Sequence, residues 1–345
     1  MPILQRSYTR TWPASSPKGR AAVLLALLAA LLICAALSLR CGSQDYTLSQ
    51  LLSALRSTDL KDPVRRTLLH VRVPRTLAAA LAGAALALAG ALIQAVLNNT
   101  MASPNVIGVN AGAGFAAMLV TALAPGSGLM SAASFLGAFG TALFIYLLAM
   151  RAGLSRTTLI LAGIAISSIL TAGINTVTLL VPDTLLGSSE FMLGGFAGVT
   201  LSAVRQSGWY LAAGAILAAF LCVDLNVLQL GEESAASLGL HVGRTRFLAI
   251  LSAALLSGAA VSFAGLLGFV GLLVPHMARR LVGGDNRWLL PASALLGGAF
   301  VLLCDVLARV LFAPFELPVG IVMSLLGGPF FLHLLLRRKG GRVHA

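Results

Sequence analysis

Uncharged apolar runs recur along the chain and alternate with short segments that hold most of its charge. Each run approaches the roughly 20 residues that a helix needs to cross a bilayer, except 266–278, which borrows length from its flanks. An even number of crossings places both termini on one side of the membrane. The pattern predicts ten spanning helices, at 21–39, 76–97, 106–124, 129–150, 157–181, 207–223, 247–264, 266–278, 288–304 and 317–336.

Composition supports an all-α polytopic membrane protein. The chain is 58% hydrophobic and 10% charged, whereas soluble proteins are about 25% charged. Run 21–39 is long for a signal peptide and lacks a small-residue cleavage site, so it is interpreted as the first spanning helix. The net charge of +13 comes from cations just outside the apolar runs. They are interpreted as topology determinants, and no nucleic-acid partner is expected.

The distribution of Lys and Arg predicts cytoplasmic termini in the cell membrane. With the N-terminus inside, most of the 24 Lys and Arg lie in cytoplasmic segments, as the positive-inside rule requires. The predicted domains are a cytoplasmic tail at 1–20, a transmembrane domain at 21–338 and a second cytoplasmic tail at 339–345. The four cysteines show no CxxC spacing, so no metal site is expected.

The outer segment 40–75 departs from this charge rule. It holds a cluster of cations, and its YTLSQLLSAL stretch predicts a short interfacial helix. The cluster is either a solvated loop or a positive surface that steers an acidic partner from outside. Arg309, four residues after Asp305, is predicted to lie near the same face and to pair with that carboxylate.

The stretch GLLGFVGLLVPHMARR predicts a broken helix. Glycine weakens a helix and proline removes a backbone donor, and in hydrocarbon the freed groups need protein or a water-lined cavity. Broken backbone at that depth is typical of proteins that move something across the membrane. The predicted break and gate residues are Gly268, Gly271 and Pro275.

The motor, if there is one, is expected on another chain. The sequence has no phosphate-binding GxxxxGK[ST] motif and no recognisable catalytic motif, so no enzyme activity is predicted. The spans also lack a chain of ionisable groups, which counts against an ion-driven secondary carrier. Inner segment 229–246 holds two short helical pieces divided at Gly239, and it is the candidate contact for a motor.

Two further features bear on transport. A small-residue unit from Arg75 to Gly114 and another from Phe247 to Ala292 enter the membrane from opposite sides, which suggests inverted repeats. The candidate path is lined by small residues of spans 2, 3, 5, 8 and 10. Its candidate polar points are Gln94, Asn110 and Asn175, for which hydrogen bonding between helices is the alternative interpretation.

Several blocks in order resemble the FecCD-type permeases, the membrane subunits of ATP-binding-cassette (ABC) importers for ferric siderophores, haem and vitamin B12. They are RVPRTLAAALAGAALALAGALIQAVL, LNVLQLGEESAASLGLHVGRTR, SFAGLLGFVGLLVPHMARRLVGG and the C-terminal DVLAR…ELPVGIVMSLLGGPFFLHLLL. The resemblance covers roughly residues 45–338. One departure is Asn-Asn-Thr at 98–100, where the family usually has Arg or Glu, Asn and Pro.

The resemblance implies a type II ABC importer fold with ten helices per subunit. A second permease subunit, identical or paralogous, two cytoplasmic ATPase subunits that hold ATP and magnesium, and an extracytoplasmic binding protein would be the partners. It assigns contact with the ATPase to a loop that holds Gly231, Glu232, Ala235, Leu238 and Gly239. It assigns docking of the binding protein to Arg72, Arg75 and Arg309.

The sequence therefore predicts an importer permease with no cofactor of its own and an iron chelate as its cargo. Haem and cobalamin permeases share these blocks, so they stay open as alternatives. A secondary carrier without an ATPase, or a membrane sensor that transports nothing, would be the alternatives from other classes.

Overall fold

The computed structural model describes residues 16–42, 46–56, 62–153, 155–313 and 315–339. Most of the predicted N-terminal tail, the end of the C-terminal tail (340–345) and Lys61 lie outside these ranges. The described residues form helices and connections without a strand. The helices are α1 (Pro17–Arg40), α2 (Leu48–Arg56), α3 (Pro63–Thr67), α4 (Val73–Val96), α5 (Val109–Leu123), α6 (Met130–Arg151), α7 (Arg156–Leu180), α8 (Thr184–Leu193), α9 (Leu201–Phe220), α10 (Cys222–Leu228), α11 (Glu232–Ser237), α12 (Val242–Ala264), α13 (Val270–Val282), α14 (Asn286–Val310) and α15 (Val319–Lys339).

Each of the ten predicted runs corresponds to one of these helices: α1, α4, α5, α6, α7, α9, α12, α13, α14 and α15. Among the described residues, six helices are long and apolar enough to cross a membrane, and α9 with α10 makes a seventh span bent by 55°. Helix α4 continues α3 through a π-helical turn at Leu68–Arg72, and together they run for 34 residues. Helices α5 and α13 are shorter, at 15 and 13 residues.

Helix α4 forms the centre of the fold, because its side chains are small enough for neighbouring helices to approach its backbone. Over its 18 most apolar consecutive residues, 72% are buried. A methyl group on Gly83 would collide with the backbone of Gly297 in α14, and one on Gly90 would collide with Gly271 in α13. Small residues at helix contacts are how membrane proteins gain packing energy where lipid is as apolar as the core.

The predicted break between α12 and α13 exists, but it lies earlier than Pro275. Helix α12 ends at Ala264, and α13 begins at Val270 after Phe269, which adopts a left-handed conformation with φ 63°. The break is held by α8, because Leu266 N donates to Phe191 O at 2.9 Å. Gly268 lies in the break, whereas Gly271 and Pro275 lie within α13, so their assignment to the break is wrong.

Helix α13 continues through Pro275 because another helix serves the carbonyls around it. Proline has no N–H, so the carbonyl of Gly271, four residues earlier, loses its helical donor. Gln94 of α4 places Nε2 3.2 Å from Leu272 O, 3.3 Å from Ala102 O and 3.5 Å from Gly271 O. Gln94 is only 2% exposed, so it does not face a path in this chain. It joins helices, which was the alternative that the sequence interpretation left open.

This arrangement predicts a stability role for Gln94. Gln94→Met should lower the free energy of unfolding by about 1–3 kcal/mol, because buried carbonyls would lose their donor. The measurement is the midpoint of thermal unfolding in detergent. Leu88→Met, a partly buried position on the same helix, is the matched control. Equal midpoints for the two variants would contradict the assigned role.

Candidate functional site

The end of the fold that the charge distribution predicts to be the outer end is built on Asp305, a fully buried carboxylate in α14. Arg309, one turn later, places Nη2 3.0 Å from Asp305 Oδ2, which confirms the pairing predicted from their spacing. Arg75 of α4 places Nη2 3.0 Å from Asp305 Oδ1 and also donates through Nε. A buried charge is tolerated only when it is paired and hydrogen-bonded, and two guanidinium groups meet that condition here.

Arg75 and Arg309, together with Arg72, also hold the end of α1 and the segment before α15. Arg309 Nη1 donates to Cys41 O at 2.8 Å, and Arg72 Nη1 donates to Leu39 O at 2.6 Å. These contacts satisfy carbonyls that the last turn of a helix leaves without partners. Arg75 Nη1 lies 2.6 Å from Oε2 of Glu316, three residues before α15. The arginines therefore join four parts of the chain.

This geometry corrects the docking assignment from sequence. Arg72, Arg75 and Arg309 are only 5%, 8% and 4% exposed, and their guanidinium groups bind groups of the same chain. The sequence predicts that these cations lie at the outer end, but it does not show that α1 and Asp305 use them. Among the described residues of segment 40–75, Arg40, Arg56 and Arg66 are exposed. The predicted interfacial helix is α2, which ends at Arg56.

The candidate coupling segment is a short helix between two glycines. Gly231 (φ 110°) precedes α11 and Gly239 (φ 85°) follows it, and both conformations favour glycine. Ala235 is fully buried, whereas Leu238 is 66% exposed.

Glu232 faces its own chain. Its two carboxylate oxygens accept from Arg246 Nη1 and Nη2, both at 2.9 Å, and Arg246 is 5% exposed in the first turns of α12. Bidentate pairing fixes orientation as well as distance. The coupling helix is therefore fastened to α12 through the residue that the sequence interpretation offered as a contact for the ATPase.

A second link joins α10, the short helix just before the coupling segment, to α14. Asn226 of α10 donates through Nδ2 to Asp285 Oδ1 at 2.7 Å, and its Oδ1 accepts from Asn286 N at 2.8 Å. Asp285 also caps α14 by accepting from Arg287 N. Movement of α10 and α11 would thus reach the start of α14 directly. Asn226 lies in a block that carries the family resemblance and Asp285 directly follows another, but the sequence interpretation assigned a role to neither.

The candidate path residues separate into different environments. Asn175 is exposed on α7, on the same face as Thr171 and Ser168, while Asn110 is half-buried at the start of α5. The α7 face borders a cavity of about 630 Å³ with Asn105 at its edge. Only 11% of the 18 most apolar consecutive residues of α7 are buried. The rest of the chain therefore leaves most of this helix uncovered, including its polar side chains.

Comparison with known proteins assigns the chain to a family. The profile of the FecCD transport family matches residues 30–337. The chain belongs to the FecCD transport family. Members similar to it include the iron(3+)-hydroxamate import permease FhuB of Bacillus subtilis, 38% identical over 327 residues, with coverage of 94% of this chain and 85% of the relative.

Two further relatives and a solved structure agree with this family. The ferric enterobactin permease FepD of Escherichia coli is 38% identical over 330 residues, covering 93% of this chain and 97% of the relative. The hemin permease HmuU of Yersinia pestis is 36% identical over 295 residues, covering 84% and 88%. A metal-chelate type ABC transporter in an inward-facing conformation has a TM-score of 0.82 at 30% identity, covering 92% of this chain and 99% of that one.

Family membership establishes the class of the protein. It is a multi-pass permease subunit of an ABC transporter in the cell membrane, a transport component and not an enzyme. Membership also implies ATPase and substrate-binding partners. Within the described residues, no three His, Cys, Asp or Glu side chains are grouped to hold a metal ion.

The Glu232–Arg246 pair gives a test of how the coupling helix is held in this FecCD permease. Arg246→Glu should lower the free energy of unfolding by about 1–2 kcal/mol, because the new carboxylate would lie against the carboxylate of Glu232. The figure is kept small because Glu232 is half exposed and screened by water. The double variant Arg246→Glu with Glu232→Arg should recover most of the loss in thermal unfolding midpoint.

Glu233 provides the control, since it is the exposed neighbour of Glu232. Glu233→Arg combined with Arg246→Glu should show no recovery, because the new arginine points away from position 246. Equal recovery by both double variants would mean that net charge, and not the observed pair, is responsible.

Proposed function

We propose that this permease carries a ferric siderophore inward, with haem or cobalamin as the alternative cargo. The polar face of α7 carries the proposal. Ser168, Thr171 and Asn175 are exposed on α7. The hydroxyl groups of Ser168 and Thr171 donate to carbonyls of their own helix, so the amide of Asn175 is the group that needs a polar surface or water at membrane depth. The relatives named for iron-hydroxamate and ferric enterobactin support a siderophore.

A second permease subunit, identical or paralogous, would complete the path. Helix α7 is largely uncovered in the single chain, and its cavity of about 630 Å³ is open on the side away from α5. A facing copy would enclose this cavity between two polar surfaces. Side chains that bind only weakly suit a large cargo that must also leave the path, so strong contacts are not needed there.

Two cytoplasmic ATPase subunits would bind at the coupling segment and hold ATP and magnesium, with both termini of this chain on the same side. Exposed Leu238 would insert into the ATPase. Glu232 and Arg246 would keep α11 rigid against α12, and Asn226 would pass its movement to α14. A lever must be stiff to transmit movement, and these contacts supply the stiffness.

The substrate-binding protein would dock on the exposed outer cations. Arg56 ends α2 and Arg66 lies in α3, and Ala54 and Leu68 bury this segment against the outer end of α1. A rigidly placed positive surface attracts an acidic partner over distance and orients it. The buried arginines beneath would set the shape of this surface.

The central test is uptake into proteoliposomes that contain this permease with its ATPase subunits and binding protein. Uptake of ferric hydroxamate should require ATP inside the compartment that corresponds to the cytoplasm and should not respond to a proton gradient alone. Leu238→Asp should reduce uptake at least tenfold, since it places a charge where an apolar contact is expected, while the thermal unfolding midpoint stays unchanged.

Two outcomes would overturn parts of this proposal. Uptake driven by the proton gradient without ATP would identify a secondary carrier. ATP-dependent uptake of haem or cobalamin, but of no ferric siderophore, would retain the importer and replace the cargo.

Docking has its own test. The double variant Arg56→Glu with Arg66→Glu should slow association with the binding protein by about tenfold at low salt, because it reverses the steering field. Arg151→Glu, at the end of α6 that is predicted to face the cytoplasm, is the matched control. Association that is unchanged in the double variant would place the docking surface elsewhere.

A further inference from the structure

A groove on the outer half of the molecule lies between α6 and α9, with α12 behind it. Its volume is about 1030 Å³. Its apolar wall includes Phe135 and Leu136 of α6 and Leu81 of α4. Leu136 is 64% exposed, so no helix of this chain covers it. The groove is distinct from the α7 cavity and from the outer arginine cluster.

The back of the groove is closed and rigid. The rings of Phe135 and Tyr210 stack with centroids 4.4 Å apart. Ser207 and Ser262 are buried behind them, and their hydroxyl groups lie 3.1 Å apart, so each has a partner. The two buried hydroxyl groups at the back of the groove are therefore satisfied, and the aromatic and aliphatic side chains in front of them suit a hydrocarbon chain.

The upper end of the groove is polar and positively charged. Arg205 and Gln206 lie in the second turn of α9, near the outer end, and both are exposed. Trp209, one turn deeper, is 79% exposed, and Tyr210 is 46% exposed. Trp and Tyr at this level mark the boundary between headgroups and hydrocarbon. Arg205 takes part in no ion pair within the described part of the chain.

We propose that this groove binds one anionic phospholipid of the outer leaflet. Its phosphate would lie on Arg205 and its acyl chain would follow the channel past Gly208. From Arg205 to Ala212 the helix descends about 10 Å, which matches the upper part of an acyl chain. Charge selects the lipid, because a basic group beside an apolar channel favours an anionic headgroup. The inference rests on the membrane-spanning fold and not on the proposed cargo.

Gly208 allows the channel to be blocked without disturbing the fold. A Cβ atom at this position would meet no heavy atom within 4 Å, so a larger side chain enters the channel freely. Gly140 of α6 is equally open and does not line the groove, so it is the matched control. Replacing glycine within a helix by leucine also favours the helix, so neither variant should unfold.

The experiment uses the full chain in nanodiscs of phosphatidylcholine with one-tenth phosphatidylglycerol, followed by native mass spectrometry of the released protein. The wild type and Gly140→Leu should retain one phosphatidylglycerol per chain. Gly208→Leu should lose it with an unchanged or raised thermal unfolding midpoint. Arg205→Gln should reduce the preference for phosphatidylglycerol over phosphatidylcholine roughly fivefold, as expected for one cation near a surface, while Arg40→Gln should not.

Three results would overturn the proposal. Retention of the lipid by the Gly208→Leu variant would show that the channel holds no acyl chain. Soluble glycerol phosphate that displaces the lipid at millimolar concentration would indicate an anion site only. Variants that change the number of chains per particle and not the number of lipids would make the groove a protein interface.

Discussion

The close approach of helix backbones to α4 is the constraint on which the other features depend. Gly83 and Gly90 place α14 and α13 against it without intervening side chains. Because α4 is enclosed, its polar residues must find partners inside the chain and not in a path. Gln94 turns to the carbonyls beside Pro275, and Arg75 turns to Asp305. One helix of small residues thus fixes both the broken span and the outer charge cluster.

The broken span between α12 and α13 is stabilised from two sides. The amide of Leu266 in the break donates to the carbonyl of Phe191 in α8, and carbonyls of α13 accept from the side-chain amide of Gln94. Lipid cannot satisfy backbone groups, so such a break persists only where protein supplies partners. The break therefore ties the positions of α8, α12 and α13 to α4. Movement at any of these helices must be accommodated by the others, which is the property a gate requires.

The apolar pattern predicted the order and approximate limits of the helices that correspond to its ten runs, because the bilayer imposes length directly on sequence. Spacing also predicted the Asp305–Arg309 pair, which is local. Partners far apart in the chain were not predictable: Glu316 for Arg75, Arg246 for Glu232 and Asn226 for Asp285. For the same reason the sequence placed Pro275 at the break, since only the structure shows that Gln94 allows the helix to continue.

The positions of these long-range contacts suggest why the two ends of the molecule work together. At the end built on Asp305, Arg75 is shared between buried Asp305 and half-exposed Glu316. Any movement of Arg75 would therefore also change its contact with the segment before α15. At the opposite end, Asn226 joins α10, just before the coupling segment, to the first turn of α14, the helix that carries Asp305. Helix α14 therefore contacts both the proposed motor link and the outer charge cluster. A continuous helix of 25 residues connects them, so a displacement at one end has a direct structural route to the other.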